Sequence, residues 1–311
     1  MHKAVAAALA RAPERISLAT LGSRKGVAVI LGYPESGKGP AWVAKVARTP
    51  EAVLELAKEH QALLAIAPWA AELGIPRVLD WQCEAGSACL LTSAVPGRLV
   101  RITFRLASGP GGGAQPLNTA LAWLERFRQT IPAESCGSAG AARESAIAAL
   151  HPLQQECGAV AGLRSLLESA PEFAAAPSHG DFWYGNLRFE GKRIGVFDWS
   201  GLAARSPLHD IFKLMTSCCF EYGGAVKTPP DVAAFGSIWF SPAPLSRFFQ
   251  EKIRTLSGGE AELRTAFYHF LAGSIRIAGP STRGIWYKIA SILERRGFPP
   301  PGSSLPAGIW T

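Results

Sequence analysis

Three side chains able to handle a charged oxygen lie within one short stretch of the chain. Asp181 and Asn186 belong to Ser178-His179-Gly180-Asp181-Phe182-Trp183-Tyr184-Gly185-Asn186, and Asp198 to Gly195-Val196-Phe197-Asp198-Trp199. Asp198 ends an apolar run, IGVF, that reads as a strand. A hairpin between Asn186 and Asp198 brings both to the same end of two neighbouring strands. The set then holds one carboxylate that can orient a hydroxyl and accept its proton, and two hard oxygen donors suited to Mg²⁺. Phosphoryl transfer needs this combination, a base for the nucleophile and metal ions against the phosphate charge. Either aspartate alone reads as a turn cap and Asn186 alone as the close of a hairpin; the three together at this spacing read as a site.

The pattern H-G-D-x-x-x-x-N, followed by a strand ending in D-W, resembles the catalytic and metal-binding loops of the aminoglycoside phosphotransferase and choline kinase-like family. It is also similar to the H-R-D-x-x-x-x-N and D-F-G elements of protein kinases, with Gly180 in place of Arg and Trp199 in place of Phe. The resemblance implies Asp181 as catalytic base, Asn186 and Asp198 as Mg²⁺ ligands, and His179 as a support of the loop. It implies a further brace at Asp210, in Leu208-His209-Asp210-Ile211. ATP and Mg²⁺ are the implied cofactors and a small-molecule hydroxyl the implied acceptor.

Upstream, the resemblance implies a strand lysine on the α/β-phosphates and a helix glutamate that holds it. Lys45, inside the apolar run AWVAKVA, matches the first, although an edge-strand lysine can also snorkel to solvent. Glu55 and Glu59 lie four apart on the following helix and share a face. The family pattern of Glu followed four residues later by Leu favours Glu59, with Leu63. Gly22 and Ser23, in Leu21-Gly22-Ser23-Arg24-Lys25-Gly26, fall where a phosphate-covering loop belongs, without matching G-x-G-x-x-G; an ordinary hairpin is the equal alternative. Backbone groups near Thr92 and Ala94, in LLTSAVPG, match an adenine-binding hinge. Gly32 to Lys38 imitates the start of a Walker A loop, but Gly39 stands where Ser or Thr must be, and a strand-like run follows instead of a helix.

The elements that must position these residues are legible in the hydrophobic pattern. Three strands, a helix and two strands fill the first hundred residues; the helix opens with Thr49 as N-cap, Pro50 and Glu51. Residues 117–175 read as helical around a loop at 133–142, and the chain from Pro207 onward is helical again. A short helix is expected at 2–12 and a loose tail at PPPGSSLPAG. The plan is α+β and two-lobed, a protein-kinase-like fold by the resemblance: a small N-terminal β-sheet lobe with one main helix at 1–95, and a larger, mostly helical lobe at 96–311. A cleft between lobes is the natural binding site.

At 311 residues and 48% hydrophobic content, the chain has ample material for an ordered core. Its net charge of +8 comes without any Lys/Arg run of five or more, so no nucleic-acid surface is indicated. The six cysteines form no C-x-x-C pair and read as reduced thiols. No apolar stretch approaches a membrane span, and a cytoplasmic protein is expected. From residue 231 onward five acidic residues face nine Lys/Arg. That balance argues against a polycationic acceptor and for a neutral or anionic one such as a sugar derivative. The alternative is a catalytically silent nucleotide-binding or scaffold protein on the same fold.

Overall fold

Strand-forming and helix-forming segments separate along the chain. The structure, a computed structural model, describes residues 16–24, 26–34, 39–84, 86–99, 114–170, 174–222, 235–236, 239, 244–278 and 280–296. The expected helix at 2–12, the Walker-like Lys38, most of the glycine-rich break at 108–116 and the tail lie outside these residues.

The first part is an antiparallel five-stranded sheet: β1 (Ile16–Arg24), β2 (Val27–Pro34), β3 (Trp42–Ala47), β4 (Val78–Glu84) and β5 (Ser87–Ser93), in the order β1-β2-β3-β5-β4. Alternation along β3 puts Trp42, Ala44 and Val46 on one face and Val43, Lys45 and Ala47 on the other. Between β3 and β4 runs α1 (Pro50–Ala65), capped by the Thr49 hydroxyl, which accepts from the Ala52 N–H at 3.3 Å. It buries Ala52, Leu56, Glu59 and Leu63, residues three to four apart on one face. Glu59 is therefore on the packed side, whereas Glu55 faces solvent and pairs with Lys58.

The remainder is mostly helical: α2 (Ala114–Thr130), α3 (Ala139–Leu150), α4 (Gly158–Ser169), α5 (His209–Tyr222), α6 (Pro244–Leu256), α7 (Glu260–Ile277) and α8 (Pro280–Arg296). Four short strands interrupt it. β7 (Leu187–Glu190) and β8 (Arg193–Val196) form a hairpin, and β6 (Ala176–Ser178) pairs with β9 (Ala203–Arg205). The loop expected at 133–142 is shorter, because Ser138 caps α3 by accepting from the Ala141 N–H at 3.1 Å. The β6–β9 pair has no sequence signal, being three residues a side.

The sheet part and the helical part share one continuous core, from Leu56 and Leu90 through Trp123 to Leu293. The Trp123 indole donates to the Leu73 carbonyl at 2.7 Å, and the Val196 N–H donates to the Gly74 carbonyl at 3.2 Å. Gly74 has φ +66, and a side chain there would press on the Ile194 carbonyl. These contacts set the Leu73–Gly74 turn, which follows α1, against α2 and the β7–β8 hairpin. The aromatic stretch from Phe235 to Phe249 contributes Phe235, Trp239 and Phe249 to the core, all buried, with Phe235 stacked on Trp239. Those three rings are part of the packed interior. No described helix is long and apolar enough to cross a membrane.

Candidate active site

The β7–β8 hairpin pairs Leu187 with Val196, and the Phe197 N–H donates to the Asn186 carbonyl at 3.2 Å. Asn186 and Asp198 thus flank the same end of the hairpin. The Asn186 amide donates to the Asp181 main-chain carbonyl at 2.9 Å and to its Oδ2 at 3.0 Å. Those bonds fix the amide's orientation and leave its oxygen as the atom available to a cation.

Asp181 stands on a loop held from below. His179 is fully buried; its Nδ1 accepts from the Asp181 N–H at 3.2 Å and its Nε2 lies 3.1 Å from the Phe197 carbonyl. The first bond requires a bare Nδ1, so the proton is on Nε2 and the ring is neutral. Burial pushes the His179 pKa down, against the opposing pull of Asp210, Asp181 and Asp198. Asp210, also fully buried, accepts from the His179 N–H and the Gly180 N–H, both at 2.9 Å. Burial alone would raise its pKa. The neighbouring imidazoles, Arg128 and the Gly180 N–H outweigh that and hold it below the ordinary carboxylate range. Gly180 has φ +80, and a side chain there would collide with the Gly201 carbonyl and the Arg205 guanidinium. This crossing explains why glycine follows His179.

The motif's aromatics are anchors. Phe182 stacks on Trp123 of α2 at 5.5 Å between centroids, and Trp199 meets His179 edge-on at 4.5 Å. The Trp199 indole donates to the Val196 carbonyl at 2.9 Å. Between them Asp198 takes φ +71, the one non-glycine residue with positive φ among the described residues.

On the sheet side, Lys45 Nζ lies 2.7 and 2.6 Å from the two Glu59 oxygens and 3.0 Å from Asp198 Oδ1. Burial opposes the charge on Lys45, but the two carboxylates override it and raise its pKa. Burial likewise pushes Asp198 up, and Lys45 more than reverses this, so the carboxylate stays ionised. The structure therefore brings Lys45, Glu59, Asp198, Asn186, Asp181, His179 and Asp210 into two clusters tied through Phe197.

The remaining candidates stand apart from those clusters. Gly22 occupies a bulge in β1 between the Leu21–Val29 and Ser23–Ala28 pairs. Thr92 pairs with Val43 on one side and Val78 on the other. The Ala94 N–H, the donor a hinge would turn to adenine, is spent on the Ala41 carbonyl at 3.0 Å.

Sequence reasoning missed Lys213, whose Nζ lies 2.8 Å from Asp181 Oδ1. Its signal was available: Lys213 follows Asp210 by three on α5 and so shares the face that braces the loop. Arg205 was missed too; it donates to the Gly201 carbonyl at 2.6 Å beneath Gly180.

His209, the neighbour of Asp210, has its pKa lowered to about 3, by burial first and then by Arg205 and Lys213. Below the ordinary histidine value of about 6.5 the unfolded chain takes up a proton that the folded protein refuses, so stability falls as pH falls. From pH 6.5 to 5 this one residue should cost about 2 kcal/mol. Denaturant unfolding of wild type and His209→Asn at pH 7 and pH 5 checks it; the variant should show the shallower dependence, and equal slopes would refute the assignment.

A family model described as the phosphotransferase enzyme family, APH, matches residues 28–245. No curated protein matches the sequence. Among solved structures, a thermostable mutant of aminoglycoside phosphotransferase APH(4)-Ia, with ADP and hygromycin B, superposes at TM-score 0.62 and 14% identity, covering 96% of this chain and 98% of that one. Aminoglycoside-3'-phosphotransferase of type VIII gives TM-score 0.57 at 20% identity, with 87% and 97% covered. The GDP complex of aminoglycoside 2'-phosphotransferase-IIIa gives 0.56 at 16%, with 95% and 99% covered. At such identities the likeness is one of fold, the two-lobed α+β architecture related to protein kinases. The family match takes in the sheet with Lys45, the helix with Glu59 and both loops carrying Asp181, Asn186 and Asp198, and the chain belongs to the APH phosphotransferase family.

Proposed function

We propose that the protein moves the γ-phosphate of ATP, with Mg²⁺, onto a hydroxyl of a small neutral or anionic metabolite such as a sugar derivative. The observation that carries this reading is the joining of Lys45 to both Glu59 and Asp198. A sheet cation is thereby fixed beside a carboxylate that neighbours the hydrogen-bonded Asp181–Asn186 pair. In this reading residues 1–95 form the nucleotide lobe and 96–311 the catalytic and acceptor lobe.

The residues present fit the metal. Asp198 has one oxygen on Lys45 and a side chain 43% exposed, and the Asn186 amide oxygen is left over by its N–H bonds to Asp181. Two hard oxygen donors with room for phosphate oxygens are what Mg²⁺ takes. Nucleotide and Mg²⁺ together supply the phosphoryl group and the neutralisation of its charge. The chain supplies the rest. Lys45 faces the phosphates, with Glu59 holding it in place. Asp181 orients the acceptor hydroxyl and receives its proton, while His179 and Asp210 keep its loop in position. Backbone around Gly22 and Ser23 approaches the phosphates, and the end of β5 at Thr92 and Ala94 approaches adenine, Ala94 through its carbonyl since its N–H is engaged.

Thermal unfolding with and without ATP and Mg²⁺ tests the reading. A ligand at about 100 times its Kd adds about 2.7 kcal/mol to the folded state. Wild type should show the corresponding rise in Tm and Asp198→Ala should lose most of it. An equal rise in both would remove Asp198 from the site, and no rise in either would favour the silent scaffold.

A further inference from the structure

Resting on that reading, a second cation in the site narrows the acceptor. Lys45 serves the Asp198 side, and Lys213 approaches from α5 on the Asp181 side. Lys213 is only 21% exposed and Asp181 38%, so the pair is half enclosed but open on one side. Asp181 is the single carboxylate in ion-pair contact with Lys213 among the described residues. Beneath the loop, Arg205 donates to the Gly201 carbonyl and the Ser178 hydroxyl and lies in the field of the buried Asp210 carboxylate. His209 feels both cations. Asp181 Oδ2 accepts from Asn186 and Oδ1 meets Lys213, so a hydroxyl that approaches the base at Oδ1 shares that oxygen with Lys213.

Two donors on one carboxylate oxygen, each at hydrogen-bond distance, stand about 4 to 5 Å apart. An ammonium so close to the attacking hydroxyl is within reach of any anionic group on the same small molecule. We propose that Lys213 is the specificity-determining residue of the acceptor site. Its ammonium receives a carboxylate or phosphate borne within one or two carbons of the hydroxyl that is phosphorylated. In the reaction the hydroxyl oxygen forms its bond to the γ-phosphorus as the bond to the β-bridging oxygen breaks. The hydroxyl proton passes to Asp181 and ADP leaves. Lys213 exchanges part of its contact with Asp181 for the acceptor's anion, which frees Oδ1 for that proton. A neutral polyol leaves Lys213 on the base and a polyamine is repelled by it.

The test is a matched acceptor panel with ATP and Mg²⁺: glycerate (carboxylate), glycerol 3-phosphate (phosphate) and glycerol (neither), with gluconate against glucose as a longer pair. Wild type should prefer the anionic member of a pair at least about tenfold in kcat/KM, mainly through KM. Lys213→Met should bring that ratio close to one and Lys213→Arg should restore part of it, whatever happens to the absolute rates. In parallel, thermal stabilisation by the same compounds is read with ADP and Mg²⁺ present, which registers binding without turnover. No anionic preference in either readout, or a ratio that survives Lys213→Met, overturns the proposal. The two anionic arms separate carboxylate from phosphate. Loss of stabilisation by ATP and Mg²⁺ alone is a different result, since it refutes the kinase reading and not the role of Lys213.

Discussion

Asp181→Asn is expected to lower phosphoryl transfer by about 10²- to 10⁴-fold while leaving stabilisation by ATP and Mg²⁺ largely intact. The amide is nearly the size of the carboxylate and its oxygen can still accept from Asn186, so the loop should keep its shape. The variant loses the ability to take a proton and the charge that Lys213 meets at 2.8 Å. Nucleotide binding survives because Lys45 bonds to Glu59 and Asp198 and not to Asp181. The expected loss corresponds to about 3 to 5 kcal/mol of barrier, within what one positioned base contributes. Single-turnover rates with saturating nucleotide, beside a thermal shift, separate the two effects. A variant at full speed would falsify the base assignment, and one that no longer binds nucleotide would mean that the loop had collapsed.

Asp210→Ala is expected to cost stability rather than chemistry alone, about 3 to 5 kcal/mol. The carboxylate is fully buried and caps two consecutive N–H groups, those of His179 and Gly180. Its loss strands both donors and leaves Arg128 and Arg205 without the buried negative charge that both feel. Urea unfolding of wild type and variant measures this directly. Asp210→Asn, which can accept with only one of its two terminal atoms, should fall between them. Wild-type stability in the alanine variant would show that the Gly180 turn is held by its own glycine geometry.

Much of this was legible beforehand, for identifiable reasons. Lys45 stood out because a charge in an apolar strand needs a partner. The family pattern of Glu followed by Leu favours Glu59 over Glu55; the two are expected to share a face, but only Glu59 lies with Ala52, Leu56 and Leu63 on the buried side of α1. Asp181, Asn186 and Asp198 were readable because one hairpin suffices to bring them together. What escaped depends on contacts between distant segments. The spacing of Lys213 from Asp210 hinted at a shared face, but its meeting with Asp181 also needs α5 to pack its first turn under a loop about thirty residues upstream. The Ala94 N–H is taken by Ala41 because β3 and β5, far apart in sequence, are neighbours in the sheet. Three-residue strands such as β6 and β9 carry too little pattern to be seen at all.

The left-handed backbone of Asp198 gives that position two opposed interests. A side chain at φ +71 costs of order 1 kcal/mol, and glycine there would relieve it. The residue that would tighten the fold at this position is thus one that erases the carboxylate we propose as a metal ligand. Under selection for persistence alone the position would drift toward a sturdier protein without that carboxylate, so on the proposed function Asp198 is kept for the chemistry and not for the fold.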